Sequence, residues 1–177
     1  MAESDIRLRF VSNTDNSADM RTFCVFQVIE SAAEELELYR FLHPMTGNSI
    51  GTTTYHRKNL DTLIFETAGQ IEWFSSSNAT VWLGVDEVPV KDLRKIKNGS
   101  QRRPHRSRRF KVIGTEYKWK IGENGNDLFC IDSKDKHVAA WSAEERLLRV
   151  APRCVNILDR VVVTCFLNLW FKKLGRW

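Results

Sequence analysis

Five arginines within eight residues, Arg102, Arg103, Arg106, Arg108 and Arg109, carry the densest chemistry in this chain of 177 residues. Guanidinium groups hold phosphate and carboxylate oxygens in paired hydrogen bonds, so the pattern points to anion binding. Lys111, Lys118 and Lys120 extend it as neighbouring support. From Lys91 to Lys120 twelve basic residues face only Asp92 and Glu116, a net charge of +10. The remainder holds 15 basic and 20 acidic residues, net −5, so the overall +5 is local in origin. Three uses compete for such a stretch. It can be a solvated loop with no partner. It can be a patch for phosphoinositide headgroups or an anionic leaflet, where each basic residue adds about 1 kcal/mol. It can also bind nucleic acid or serve as a nuclear address. Ser107, set among the arginines, is a candidate phosphorylation site whose modification would weaken any anion contact.

Other chemistry is thin. The histidines, His43, His56, His105 and His137, form no H-x-H or H-E-x-x-H spacing, and the sequence signals no metal site. Asp127, Asp132 and Asp135 lack the regular offsets and closing glutamate of a calcium loop and read as solvated turn acids. There is no nucleophile elbow, phosphate-cradling loop or dinucleotide fingerprint. No catalytic residues, metal or cofactor are assigned. Cys24, Cys130, Cys154 and Cys165 are scattered without a C-x-x-C pair. Met1–Asp5 shows no basic-then-apolar leader pattern, so free thiols and a cytoplasmic location are expected, with a membrane surface or the nucleus as places the arginines would take the chain. Under that expectation the triplets at Asn78 and Asn98 are not glycosylation acceptors.

Most of the chain that must position these residues alternates with period two. Ile6, Leu8 and Phe10 alternate with Arg7 and Arg9. Further strands are expected at 23–29, 36–42, 50–56, 63–66, 70–74, 80–85, 110–113, 116–121, 128–131, 137–141 and 147–150, with turns at Ser75–Asn78, Gly114 and Gly122–Gly125. Tyr117, Trp119 and Ile121 share one face and Lys118 and Lys120 the other. Trp73, Trp82, Trp119 and Trp141 read as core rather than as stacking platforms for bases. About twelve short strands make a mainly β fold, a sandwich or barrel.

Residues 155–172 differ. The segment is apolar nearly all round, with Asn156, Arg160, Thr164 and Asn168 spaced four apart, so a helix gathers them in one stripe. Asp159 and the pair Lys172–Lys173 suit the helix dipole. Its most apolar part, Val161–Phe171, would be about 16 Å long against the roughly 30 Å of a hydrocarbon core. A buried core helix is expected, not a transmembrane span.

Strands followed by one apolar helix resemble the tubby-like fold of tubby domains, LURP-one-related proteins and phospholipid scramblases. The stretches Gln70-Ile71-Glu72-Trp73, Glu116-Tyr117-Lys118-Trp119-Lys120, Val138-Ala139, Ile157-Leu158-Asp159 and Val163-Thr164 resemble an uncharacterised family of basidiomycete fungal domains. The resemblance implies a closed antiparallel barrel of about twelve strands around a C-terminal helix, and an association with phosphoinositides or lipid. It brings no site residues to transfer. The expectation is therefore a single domain over 1–177, with strands about 6–151, a basic loop about 97–109 and a core helix about 155–172. Its function would be non-catalytic binding or scaffolding, with peripheral contact to anionic lipid through the arginines and lysines. Nucleic-acid binding through the same loop is the alternative.

Overall fold

Leu8 and Phe10 are buried in β1 (Ile6–Ser12) while Arg9 between them is exposed. The same alternation recurs in β2 (Phe23–Val28), β3 (Leu36–Leu42), β4 (Gly51–Lys58), β5 (Phe65–Ser75) and β6 (Asn78–Leu83), and the polar β7 (Asp86–Pro89) comes next. One helical turn, α1 (Val90–Leu93), follows. Then come β8 (Arg108–Val112), β9 (Thr115–Ile121), β10 (Leu128–Asp132), β11 (His137–Ser142) and β12 (Leu147–Val150). A 3₁₀ turn (Pro152–Ile157) leads into α2 (Leu158–Lys173). This computed structural model describes residues 4–12, 19–29, 35–44, 50–96 and 107–177.

Among the described residues the twelve strands form one antiparallel sheet in the order β7-β6-β5-β4-β3-β2-β1-β12-β11-β10-β9-β8. The closed barrel expected from the resemblance is not formed: β7 and β8 are the sheet's two edges. Lys95 occupies the outer edge of β8, exchanging backbone bonds with Arg109 at 2.9 and 3.0 Å, so those groups are not available for a further strand. Two other differences offset each other in the strand count. The expected strands at 63–66 and 70–74 merge into one, β5, which begins only at Phe65, leaving Leu63 and Ile64 in the preceding loop, and runs through a bulge at Ala68 opposite Tyr55 and His56. The polar strand β7 has no apolar alternation to announce it.

The chain divides into two compact units, residues 8–90 and residues 1–7 with 91–177. In the first, Phe10, Phe23, Phe41 and Tyr55 stack across successive strands with ring centroids 4.3–5.4 Å apart. The row continues through Gly69, the register partner of Tyr55. The Tyr55 ring passes over this glycine and its hydroxyl donates to the Trp82 carbonyl at 2.6 Å.

In the second unit, α2 is buried on all sides, from Leu158 to Phe171 with only short exceptions. Pro152–Lys173 is long and apolar enough to cross a membrane, but 72 % of its apolar stretch is buried within the protein, as in a core helix. The 16-residue α-helix alone spans about 24 Å. Its polar stripe is put to use inside. Thr164 accepts a hydrogen bond from Trp119 Nε1 at 3.0 Å and returns its own proton to the Arg160 carbonyl at 2.7 Å. Asn168 Oδ1 accepts from Arg94 Nε at 3.0 Å. The helix ends at Gly175, whose left-handed φ of 67° lets its N–H bond to Lys172 O and that of Arg176 to Phe171 O.

Candidate anion-binding face

Strand geometry sorts the basic residues by parity. In β8, Arg108, Phe110 and Val112 are buried; in β9, Trp119 is fully buried and Tyr117 stacks on Phe110 at 5.2 Å. The opposite face takes Arg109 and Lys111 from β8 and Glu116, Lys118 and Lys120 from β9. Register places Arg109 beside Lys118, and Lys111 beside Glu116. Lys120 stands beside Phe129, Phe129 beside Ala140, and Ala140 beside Arg149 of β12. One face of the β8–β12 sheet thus gathers Arg109, Lys111, Lys118, Lys120 and Arg149.

Acids temper this face without neutralising it. Arg109 pairs with Glu116. Lys118 bonds Asp135 at 2.6 Å, which holds that carboxyl below its ordinary range. Arg149 bonds Glu145 at 2.6 Å. Lys120 Nζ sits 5.8 Å from the Phe129 ring centroid, and Lys111 is exposed. Neither of these two lysines has an ion pair among the described residues.

The arginine cluster is therefore not one surface. Arg102, Arg103 and Arg106 lie outside the described residues, as does the basic loop from 97 to 106. Arg108 and Arg109 belong to β8 rather than to a loop. Arg108 is only 4 % exposed, because its parity in the strand turns it inward. Its guanidinium lies 5.5 Å from the Trp177 ring, and Nη2 donates to the Arg176 carbonyl at 3.4 Å. Arg94 reaches the same carbonyl at 3.2 Å and lies 3.8 Å over the Phe171 ring. Burial, helped by the nearby Arg108, pulls its pKa down to about 9. Arg94 and Arg108 thus tie the strand region to the end of α2, a role that a charge count does not reveal. Arg149 was missed for the opposite reason: it lies outside the basic stretch and joins the face only through cross-strand register. The alternation Leu148-Arg149-Val150 was its available signal.

A second polar cluster sits in the unit formed by residues 8–90. Buried His43 meets Thr53 Oγ1 through Nδ1 at 2.8 Å, and Trp73 Nε1 donates to the same oxygen at 2.9 Å. His43 Nε2 lies 4.0 Å from Asp19, which is bound to buried Arg21. Burial, then Arg21, lowers the His43 pKa, while Asp19 opposes the shift. Trp73, Trp119 and Trp141 are core residues as expected; Trp82 is half-buried on the opposite face of its strand. All four cysteines are free, with Cys24 half-buried and the others buried. Among the described residues no group of three or more His, Cys, Asp or Glu side chains is arranged to hold a metal ion.

No curated protein matches this chain in sequence. Among solved structures, a protein of unknown function from Bacteroides fragilis is similar over 84 % of this chain and 94 % of its own, at 9 % identity and a TM-score of 0.33. The model of a family of unknown function, DUF6593, matches residues 18–172, and the chain belongs to that family.

Proposed function

We propose that this chain is a non-catalytic binding or scaffold domain that meets anionic phospholipid surfaces from the cytoplasm through the outer face of β8–β12. The observation that carries the reading is the register that sets Arg109, Lys111, Lys118, Lys120 and Arg149 on one face, two of these lysines having no ion pair among the described residues. Arg102, Arg103 and Arg106 precede β8 in the chain and would add to it. A basic sheet face suits headgroups spread over a surface, and its charges act together. Twelve antiparallel strands followed by a buried helix support a tubby-like reading of the domain, with the sheet left open.

Co-flotation with vesicles tests it. The wild type should float with vesicles containing phosphatidylserine or phosphoinositide and stay behind with phosphatidylcholine alone. Neutralising Lys111, Lys118 and Lys120 together should weaken partitioning on the order of 100-fold, at about 1 kcal/mol for each charge. Equal flotation of that variant would remove the face from the proposal. Displacement of vesicles by submicromolar duplex DNA or RNA would favour nucleic acid as the ligand instead.

A further inference from the structure

The β8–β9 hairpin closes at the pair Val112–Thr115 and leaves a two-residue turn, Ile113–Gly114, with φ of 46° and 77°. Both residues are left-handed. Such a turn matches the twist of its strands and favours Asn-Gly, because a β-branched side chain is crowded in that conformation. Four non-glycine residues among those described have left-handed φ: Leu63, Ile113, Asp135 and Arg146. Ile113 is the one that is β-branched.

Nothing in the described structure compensates for this strain. The Ile113 side chain is 96 % exposed, and no atom lies within 4 Å of where a Cβ on Gly114 would stand. The hairpin tip projects into open space. Val85, in the β6–β7 turn, is 94 % exposed without such strain, because Gly84 takes the left-handed position there. At Ile113 a large apolar residue is held outward where a polar one would fit the backbone better. Two residues before it stands exposed Lys111, on the basic face of the same hairpin.

We propose that Ile113 is a bilayer anchor, an apolar wedge that enters the headgroup region of an anionic leaflet when the basic face lands on it. This inference rests on the lipid reading of that face and adds an apolar contact to it. The basic charges select the anionic surface, and the tip supplies a contact that salt does not screen. The exposed tip has Lys111 on one strand and Glu116, itself paired with Arg109, on the other, so the charge beside it that is not offset is positive and suits an anionic interface, whereas a protein partner would have to offer a pocket.

Ile113→Asn tests the anchor with two readouts that move in opposite directions. Partitioning onto phosphatidylserine vesicles at 0.15 M salt should fall about tenfold, as expected for losing one partly inserted aliphatic side chain. The melting temperature of the free protein should rise by about 2–4 °C as the turn gains a residue suited to it. Ile113→Leu should retain binding. If the wild type does not bind anionic vesicles at all, the reading of the face fails and the anchor falls with it. If the wild type binds, the Lys111/Lys118/Lys120 variant does not, and Ile113→Asn binds like wild type, the face stands and the anchor is overturned. A lower melting temperature for Ile113→Asn also overturns it, because Ile113 would then be serving the fold.

Discussion

Gly69→Ala is the substitution whose outcome the packing most clearly dictates. In an ordinary strand, alanine in place of glycine stabilises by roughly 0.5–1 kcal/mol. Gly69 has no left-handed φ to protect, so backbone propensity alone predicts that gain. The surroundings reverse the sign. A Cβ at Gly69 would lie 2.0 Å from the Trp82 carbonyl oxygen, 2.2 Å from the Tyr55 hydroxyl and 2.5 Å from Tyr55 Cζ. The nearest of these atoms is backbone, so a rotamer change cannot clear it. Overpacking of this kind costs about 1–3 kcal/mol. Displacing Tyr55 also breaks its 2.6 Å bond to Trp82 and strands a polar group, at about 1–3 kcal/mol. Together the loss is about 2–6 kcal/mol, a drop in melting temperature of roughly 4–24 °C for a chain this size. Chemical denaturation followed by tryptophan fluorescence measures it directly. Tyr55→Phe, which loses only the hydroxyl, should cost about 1–2 kcal/mol, and the double variant should recover little because the Trp82 oxygen remains in the way. A neutral or stabilising Gly69→Ala would mean that the strands are free to move apart and that the enclosure of Gly69 by Tyr55 and Trp82 is not tight.

Two further outcomes follow from buried polar groups. Thr164→Val keeps the shape of the side chain but removes the acceptor of Trp119 Nε1, leaving a buried donor unpaired; denaturant unfolding should show a loss of about 1–3 kcal/mol. The double variant Thr164→Val/Trp119→Phe should recover part of it, since no orphaned donor remains. For His43, burial lowers the folded pKa below the ordinary 6.5, so the unfolded chain binds the proton more readily. Its contribution to stability is therefore complete above about pH 6.5 and is lost as the pH falls through the lowered value. Melting temperatures between pH 7.5 and 5 should decline in the wild type and decline less steeply in His43→Gln. Asp19, also lowered, loses its contribution only at more acidic pH, which separates the two groups.

Local pattern alone marked most of the strands, the inward and outward faces of β9, and the apolar helix with its polar stripe. These are properties of consecutive residues, because backbone geometry imposes periods of two and 3.6 before any long-range contact forms. The same reasoning divided β5 in two, because Thr67, Ala68 and Gly69 offer no alternation; the strand continues only because Tyr55 and Trp82 enclose the glycine from neighbouring strands. It missed β7, a polar edge strand defined by its pairing with β6.

Which charges face water and where the sheet stops depend on contacts between distant residues. Arg108 and Arg109 are adjacent and chemically identical in the chain, yet one is buried beside Trp177 and the other pairs with Glu116 on the outer face. Where β8 begins sets that division, and its pairing with β9 and Lys95 fixes where it begins. Arg149 joins the basic face through three successive strand pairings, and half-buried Arg94 finds its hydrogen-bond acceptor in Asn168 of α2, 74 residues away. Most elements and the faces they could present were already set by neighbouring residues along the chain. Register, edges and the burial of charge waited on the fold, because each is settled by hydrogen bonds and desolvation between residues far apart in the chain.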